Sequence, residues 1–529
     1  MADQETVNEK PSGFKLSKVM WVLFAGFVLS SWFRAIEGGM VGTLSVNIYA
    51  DFNSVELVSI ATLTSTIVGV FYPLIARLTD VFGRKALLVV SIVLGYMAYF
   101  FIIISTSGGV FQLGQSLSVI QGAIFGLVLS ILIADYVPLK FRVTFYSILT
   151  FPGLVWGFIS IGAVEYISYW KHIYIYTIPP ITITYLMILY GVFKTETVVT
   201  ESKETDEDKS GVSHAQKFNI VGNLMLCASI TLVFIPVNVF VDYDILSVQV
   251  LLPTVLGFLL LIGFFLYEIH YAIYPLFPKR MLLNRTVMGG LLVNVAIYGA
   301  SNICFGNFQQ LFQVTRGSTP SEAAYLQYGY GASFSLISLP VGLLLQYLGR
   351  YKRFVTFGYV LYLAGFFLFL NTRGNNSTSS IEIIVVQCVV GLGSGIAIAP
   401  ILSAMQGASD HEDVAMVTSL DSFSVFVFGY GFDLVSNAFW NRLLPHIIRT
   451  TPGGEDIDTL ALVKDFQIIL ELPEEQANLV KDAYMTTQRT CTFVGIGLLL
   501  LGLVPIYFME DYDFRDRSEK EETDILVSV

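Results

Sequence analysis

The chain has 529 residues, 54% of them hydrophobic and 13% charged, with a mean hydropathy of +0.67. That much apolar sequence excludes a soluble globular domain and points to a protein that crosses a membrane many times. The net charge of −11 lies mostly in tails and loops, so it identifies no partner, and nothing in it points to nucleic acid.

Apolar runs of about 20 residues, the length that spans a bilayer, recur along the chain. About fourteen crossings are expected, at 19–48, 55–77, 85–104, 112–134, 145–168, 172–193, 218–240, 249–270, 287–308, 325–348, 353–371, 381–402, 414–438 and 488–508. The first eighteen residues are polar, and the apolar run after them is too long for a cleaved signal, so 19–48 is expected to stay as a transmembrane helix. An even number of crossings puts both tails on one side. One set of loops carries Arg77, Arg84 and Lys85, then Lys140 and Arg142, four lysines in 194–217, Lys279, Arg280 and Arg285, and Arg350, Lys352 and Arg353. The short loops of the other set hold only Lys171, Arg316 and Arg373. Basic loops stay in the cytosol, so both tails are expected there. Asn375 and Asn376 begin overlapping glycosylation sequons in an outward loop, whereas the sequon at Asn284 faces inward and is expected to go unused.

The expected organisation is a cytoplasmic tail (1–18), a six-helix bundle (19–193) and a polar cytoplasmic linker (194–217). Two additional helices and a loop (218–286) follow. A second six-helix bundle (287–508) carries a long outward loop (439–487), and a cytoplasmic tail (509–529) ends the chain. Cys227, Cys304, Cys388 and Cys491 fall in or beside apolar runs without metal-ligand spacing and read as inert thiols. No catalytic or metal-binding pattern stands out, and an enzyme is not expected.

Between the second and third runs stands YPLIARLTDVFGRK, Tyr72 to Lys85. Gly83 lets the chain reverse with φ > 0. Arg84 and Lys85 hold the loop in the cytosol, and Asp80 is placed to pair with them or cap a helix. A second copy, GLLLQYLGRYK from Gly342 to Lys352, keeps Gly349 and Arg350 but has Gln346 where the acid stood. This pair of loops resembles the signature of major facilitator transporters, with Ala76 where that family usually has Gly. The resemblance implies an all-α membrane protein of two related six-helix bundles, here with two extra helices.

Charges inside a crossing are costly and mark function or a buried structural pair. Arg34 and Glu37 lie three apart on one face of the first run. Gly38 and Gly39 follow and would let a helix or ligand approach closely. Asp135 and Arg142 lie at the cytoplasmic mouth, near Asp80 and Arg84. The four suggest an ion-pair cluster that is either a gate or a static tether. In the fifth run Pro152 predicts a kink, Trp156 offers an apolar wall, and Glu165 lies near the outer end. Asn294 and Asp421 are intramembrane polar groups of the second half. Asp421 is the stronger candidate, to take a proton or face a substrate. Arg34, Glu37, Trp156, Asn294 and Asp421 are therefore the candidate substrate residues. Glu37, Asp421 and Glu165 are the candidate proton carriers. Asp80, Gly83, Arg84, Lys85, Asp135, Arg142, Gln346 and Arg350 form the candidate gate.

The stretches YPLIARLTDVFGR, IADYVPLKFRVTFYSILTFPGLVW, LGRYKRF and ASDHEDVAMVTSLDSFSVFVFGYGFDLVSNAFWNRLLP resemble the fungal siderophore–iron transporters, fourteen-span major facilitator proteins. The resemblance runs from about Tyr72 to Asp511. It implies import of ferric siderophores, mainly hydroxamates, by proton symport through alternating access, with the proton gradient as driving force and no cofactor. The plasma membrane is the expected site, an endosomal or vacuolar membrane the alternative. A monomer in the bilayer is expected, with the siderophore and protons as partners. The family commonly has Leu-Asp where this chain has Ile36-Glu37. A proton-coupled exchanger or exporter of glutathione, haem or a drug-like solute, and a non-transporting nutrient sensor, stay open as alternatives.

Overall fold

The computed structural model describes residues 17–52, 57–164, 166–167, 169–194, 218–239, 246–371, 378–410, 413–459, 462, 468–469 and 472–518. Residues 45–47, 49–50, 57–59, 62, 156, 164 and 237–239 are described by their backbone alone. The linker 195–217 and the sequon asparagines Asn375 and Asn376 lie outside the described residues.

The first half is built from α1 (Lys18–Asp51), α2 (Leu57–Val70), α3 (Tyr72–Ile104), α4 (Gly108–Tyr136), α5 (Leu139–Thr150), α6 (Gly153–Val164) and α7 (Lys171–Lys194). The additional pair is α8 (Ile220–Val239) and α9 (Val248–His270). A short α10 (Lys279–Leu282) leads into the second half: α11 (Arg285–Phe305), α12 (Phe308–Arg316), α13 (Pro320–Gln327), α14 (Gly329–Leu348), α15 (Tyr351–Phe369), α16 (Ser380–Ile398), α17 (Ile401–Gly407), α18 (Val414–Phe423), α19 (Gly429–Thr450) and α20 (Glu474–Phe508). A π-helical turn, Ser424–Phe428, joins α18 to α19.

Among the described residues, twelve helical stretches are long and apolar enough to cross a membrane. The two other expected crossings fall short of that criterion for local reasons. The run 55–77 is broken at Phe71, because Pro73 near the start of α3 has no N–H to continue the α2 ladder. Below the break, Tyr72–Phe82 extends the same crossing, and Gly83, at φ 82°, turns the chain before Arg84. The run 218–240 is the shorter apolar helix Ile220–Pro236. The expected kink at Pro152 is a full break between α5 and α6.

The limits near the C-terminus differ from the sequence reading. Apolar content marks only the stretch inside lipid. The hydrogen-bond ladder runs on through polar residues beyond it, so α19 reaches Thr450 and α20 begins at Glu474. The outward connection expected over 439–487 shrinks accordingly to 451–473.

Two apolar cores reflect the two halves. One gathers Phe27, Ile75, Leu88, Phe125, Tyr185 and Ile188, with Leu226 and Phe264 of the additional pair packed onto it. The other gathers Ile297, Phe312, Tyr359, Phe366, Val390 and Tyr484. Arg77 donates to the carbonyls of Tyr274 (2.9 Å) and Pro275 (2.5 Å), and Glu268 accepts from the backbone N–H of Leu276 at 2.7 Å. The Arg77 bonds tie the loop after α9 to the first half, and the Glu268 bond ties it to α9 itself. Arg280 pairs with Asp413 and ties the same loop to the second half. Asn284 caps α11 by accepting from the N–H of Thr286 and Val287, while its side-chain amide donates to Ala408 O at 2.8 Å. The nitrogen that would carry a glycan is thus already engaged.

Candidate functional site

The long helix α1 places Arg34 and Glu37 one turn apart in the middle of the first half. Arg34 Nη2 donates to Tyr185 Oη on α7 at 2.6 Å, and its guanidinium lies 6.0 Å from the centre of the Phe125 ring on α4. Glu37 is buried; its Oε2 accepts from Tyr99 Oη on α3 at 2.7 Å and from Thr177 Oγ1 on α7 at 3.4 Å. Gln121 Nε2 also donates to Tyr185 Oη, at 3.4 Å. The direct Arg34–Glu37 ion pair expected from their spacing is not among the ion pairs of the described residues. Neighbouring helices bring a phenol to each charge, and each side chain turns to its phenol. The two remain electrostatically coupled, although their hydrogen bonds run to separate partners on α3 and α7. Gly39 serves helix packing, since a Cβ there would lie 2.1 Å from Ser160 Oγ on α6; the space beside Gly38 is open.

In the second half, Asn294 is buried on α11, and its Nδ2 donates to Asp421 Oδ1 on α18 at 2.7 Å. No cation pairs with Asp421 among the described residues. Ser424 Oγ donates to the Asp421 carbonyl at 2.7 Å, and Ser424 opens the π-helical turn. Such single π turns cluster at functional sites because they re-aim the side chains around them. Sequence reading had no signal for this turn. Among the described residues no hydrogen bond joins the Asn294–Asp421 pair to the Arg34–Glu37 network. Trp156 lies in α6 with its side chain undescribed, and Glu165 lies outside the described residues.

At the loop end, Arg84 lies between Asp80 (3.6 Å, i,i+4) and Asp135 (3.4 Å). Arg142 is buried and its Nε donates to Val137 O at 2.9 Å, bracing the α4–α5 turn. Lys85 is half-buried beside Arg84. Gly349 repeats the role of Gly83, with φ 71°. Gln346 Nε2 donates across the halves to Thr144 Oγ1 on α5. In the same seam, Ser147 Oγ donates to Ser338 O at 2.8 Å, and Gln406 Nε2 to Tyr146 Oη at 3.1 Å. Arg350 Nη1 meets Asp511 Oδ2 at 3.1 Å. The partner of Arg350 was not foreseen; an acidic tail gives little hint of where it docks.

No family model matches the sequence. The chain is 23% identical to the "MFS siderochrome iron transporter C" of Aspergillus fumigatus, over 95% of this chain and 85% of that one. It is 25% identical to the "Siderophore iron transporter ARN2" of Saccharomyces cerevisiae, over 86% and 77%. It is also 23% identical to the "MFS-type efflux pump MMF1" of Pseudozyma antarctica, over 94% and 91%. Among solved structures, the human organic anion transporter MFSD10 (TETRAN) superposes with a TM-score of 0.58 at 11% identity, covering 93% of this chain and 99% of that one. These relatives are transporters and pumps by name, not enzymes. The chain is a multi-pass membrane protein with the major facilitator fold, and over nearly its whole length it resembles the fungal siderophore iron transporters.

Proposed function

We propose that the chain is a proton-coupled secondary transporter that imports ferric siderophores, of the hydroxamate class, by alternating access. What carries the substrate is the likeness to siderophore iron transporters over almost the full chain. What supports proton coupling is the placement of intramembrane acids in both halves. Glu37 is held by hydroxyl groups and Asp421 by an amide, rather than by cations. Protonation of either acid breaks no direct ion pair among the described residues; at Glu37 it removes a nearby negative charge from Arg34, which stays bonded to Tyr185. Arg34 then supplies a fork of donors for hydroxamate oxygens, and the proton gradient drives the cycle with no cofactor. The transporter works as a monomer in the plasma membrane, with both tails in the cytosol and Asn375 or Asn376 open to glycosylation.

Uptake of a radiolabelled ferric hydroxamate into iron-starved cells tests this reading. Accumulation that rises as external pH falls and collapses with a protonophore is expected. No accumulation above cells lacking the chain would sink it. The efflux pump among the relatives favours a second reading, proton-driven export. It predicts faster loss of preloaded siderophore from cells that carry the chain.

A further inference from the structure

The second loop copy lacks the acid of the first, yet its arginine is paired. Asp511 of the segment after α20 lies 3.1 Å from Arg350. That segment is bound to the second loop along its length. The N–H of Phe514 donates to Gly349 O at 3.0 Å, and Arg515 Nη1 to Tyr347 O at 2.9 Å. Lys352 Nζ donates to the carbonyls of Tyr507 (3.0 Å) and Met509 (2.5 Å), and the Tyr351 hydroxyl to Glu510 O. Phe514 has no exposed surface and stacks on Tyr351 with ring centres 5.3 Å apart. The Tyr512 hydroxyl donates to Ala404 O on α17. There it stands close to Leu139 of the first half: a Cβ on Gly407 would lie 2.9 Å from Tyr512 Oη and 2.6 Å from a Leu139 methyl.

We propose that the segment Glu510–Arg517 is a working part of the second loop. Asp511 holds for Arg350 the place that Asp80 holds for Arg84. Gln346, relieved of that task, joins the two halves through Thr144. The pairing duty of the acid in the first copy falls here to the tail, and the glutamine makes a contact across the halves instead. Asp511 is thus a positioning residue for the cytoplasmic gate. Contacts of this kind form in one conformation and break in the other. The side chains of Arg350 and Asp511 are 52% and 39% exposed, and an exposed pair holds little by itself. The tail is seated by Phe514 and by the backbone bonds, so Asp511→Asn leaves it docked and removes only the charge.

The test uses the full chain in membranes and two readouts. One is oxidative cross-linking of Ser147→Cys with Ser338→Cys, across the seam between the halves, with no substrate present. The other is uptake of a ferric hydroxamate, which rests on the transport reading above. Asp511→Asn is expected to lower the maximal rate about two- to five-fold with KM unchanged, the size of one exposed ion pair, and to lower the cross-link yield. Gln346→Glu in that background is expected to restore both, with the Thr144 hydroxyl donating to the new carboxylate in place of the lost amide donor. It keeps the length of Gln346 and puts a carboxylate four residues before Arg350, as Asp80 is before Arg84. Asp511→Glu is expected to match the parent. Unchanged cross-linking and rate in Asp511→Asn, or a loss of either or of abundance that Gln346→Glu does not restore, overturns the proposal. Cross-linking that responds in a chain that moves no siderophore overturns the substrate reading and leaves the tail's role standing.

Discussion

Tyr99 donates its phenolic hydrogen to Glu37 across 2.7 Å, while Arg34, one turn earlier on the same helix, is turned to Tyr185. The acid and the base are therefore supported separately. Removing Glu37 takes a nearby carboxylate from Arg34 but leaves its bond to Tyr185, so less is lost than in a closed ion pair. Glu37→Gln keeps an acceptor for Tyr99 and is expected to reach the membrane at normal abundance, while uptake loses its dependence on external pH. Tyr99→Phe deletes the shorter bond to a buried carboxylate. It is expected to cost about 1.5–3 kcal/mol, read as a lower melting temperature of the detergent-purified protein. If Glu37→Gln is absent from the membrane and Arg34→Met restores it, the two residues are a structural pair after all.

Gly83 and Gly349 both adopt positive φ, 82° and 71°, where an L side chain is strained by about 1–3 kcal/mol. Their surroundings differ. Nothing lies within 4 Å of a Cβ on Gly83, whereas one on Gly349 would sit 1.9 Å from Asp513 Oδ1. Gly83→Ala is expected to lower thermal stability by the backbone strain alone. Gly349→Ala is expected to cost more and to expose the segment after α20 to protease. Equal melting temperatures for the two variants would contradict this placement of Asp513.

These loops also show what the sequence could convey. A glycine before a basic pair, between two apolar runs, has few uses other than a tight reversal, so Gly83 and Gly349 were legible. The kink at Pro152 was legible for the same reason, because proline removes a defined bond. The partner of Arg34 was not, since Tyr185 lies 151 residues away and any of 28 tyrosines offers the same hydroxyl. Arg350 hid its partner in another way. Asp511 stands in a tail whose acids read as solvated charge, and only the aromatics Tyr512 and Phe514 beside it signal that the tail has something to bury. The count of crossings was harder still, because hydropathy measures a stretch of sequence, while the break at Phe71 and the shortness of Ile220–Pro236 are features of the helices.

Asp513 accepts from the Arg515 side chain at 2.6 Å and 3.0 Å and from its N–H at 2.9 Å. These bonds hold its carboxyl below the usual aspartate range. A carboxyl whose value falls on folding stabilises the fold above its unfolded value, about 3.9. That contribution is lost only as pH falls through the lower folded value. The tail is therefore expected to stay seated at any external or cytosolic pH between about 5 and 7. Asp513→Asn should leave the shape of the pH profile of uptake unchanged, whatever it does to the rate. A profile displaced by that substitution would make the tail a pH sensor and contradict the assignment of coupling to the intramembrane acids.

Asp421 offers the most direct test of coupling, because its environment is simple. Its carboxylate accepts from Asn294 at 2.7 Å, and no cation pairs with it among the described residues. Two explanations compete. If the acid is structural, its value lies in the bond to Asn294, and Asp421→Asn keeps an oxygen there to accept it. Transport and its pH dependence would then survive. If the acid carries the proton, the same substitution leaves a protein that folds, reaches the membrane and exchanges labelled for unlabelled siderophore across it. It does not accumulate siderophore when the outside is acidified, since the substituted amide takes no proton during the cycle. Asn294→Leu separates the explanations from the other side. It removes the donor from a buried carboxylate, at a cost of about 1–3 kcal/mol or more, and is expected to lower the melting temperature. Asp421→Leu added to Asn294→Leu is expected to restore the melting temperature and leave accumulation abolished. Counterflow exchange and acid-driven accumulation, measured on the same vesicles, give the two readouts. Acid-driven accumulation by Asp421→Asn at the parent level would remove Asp421 from the proton path.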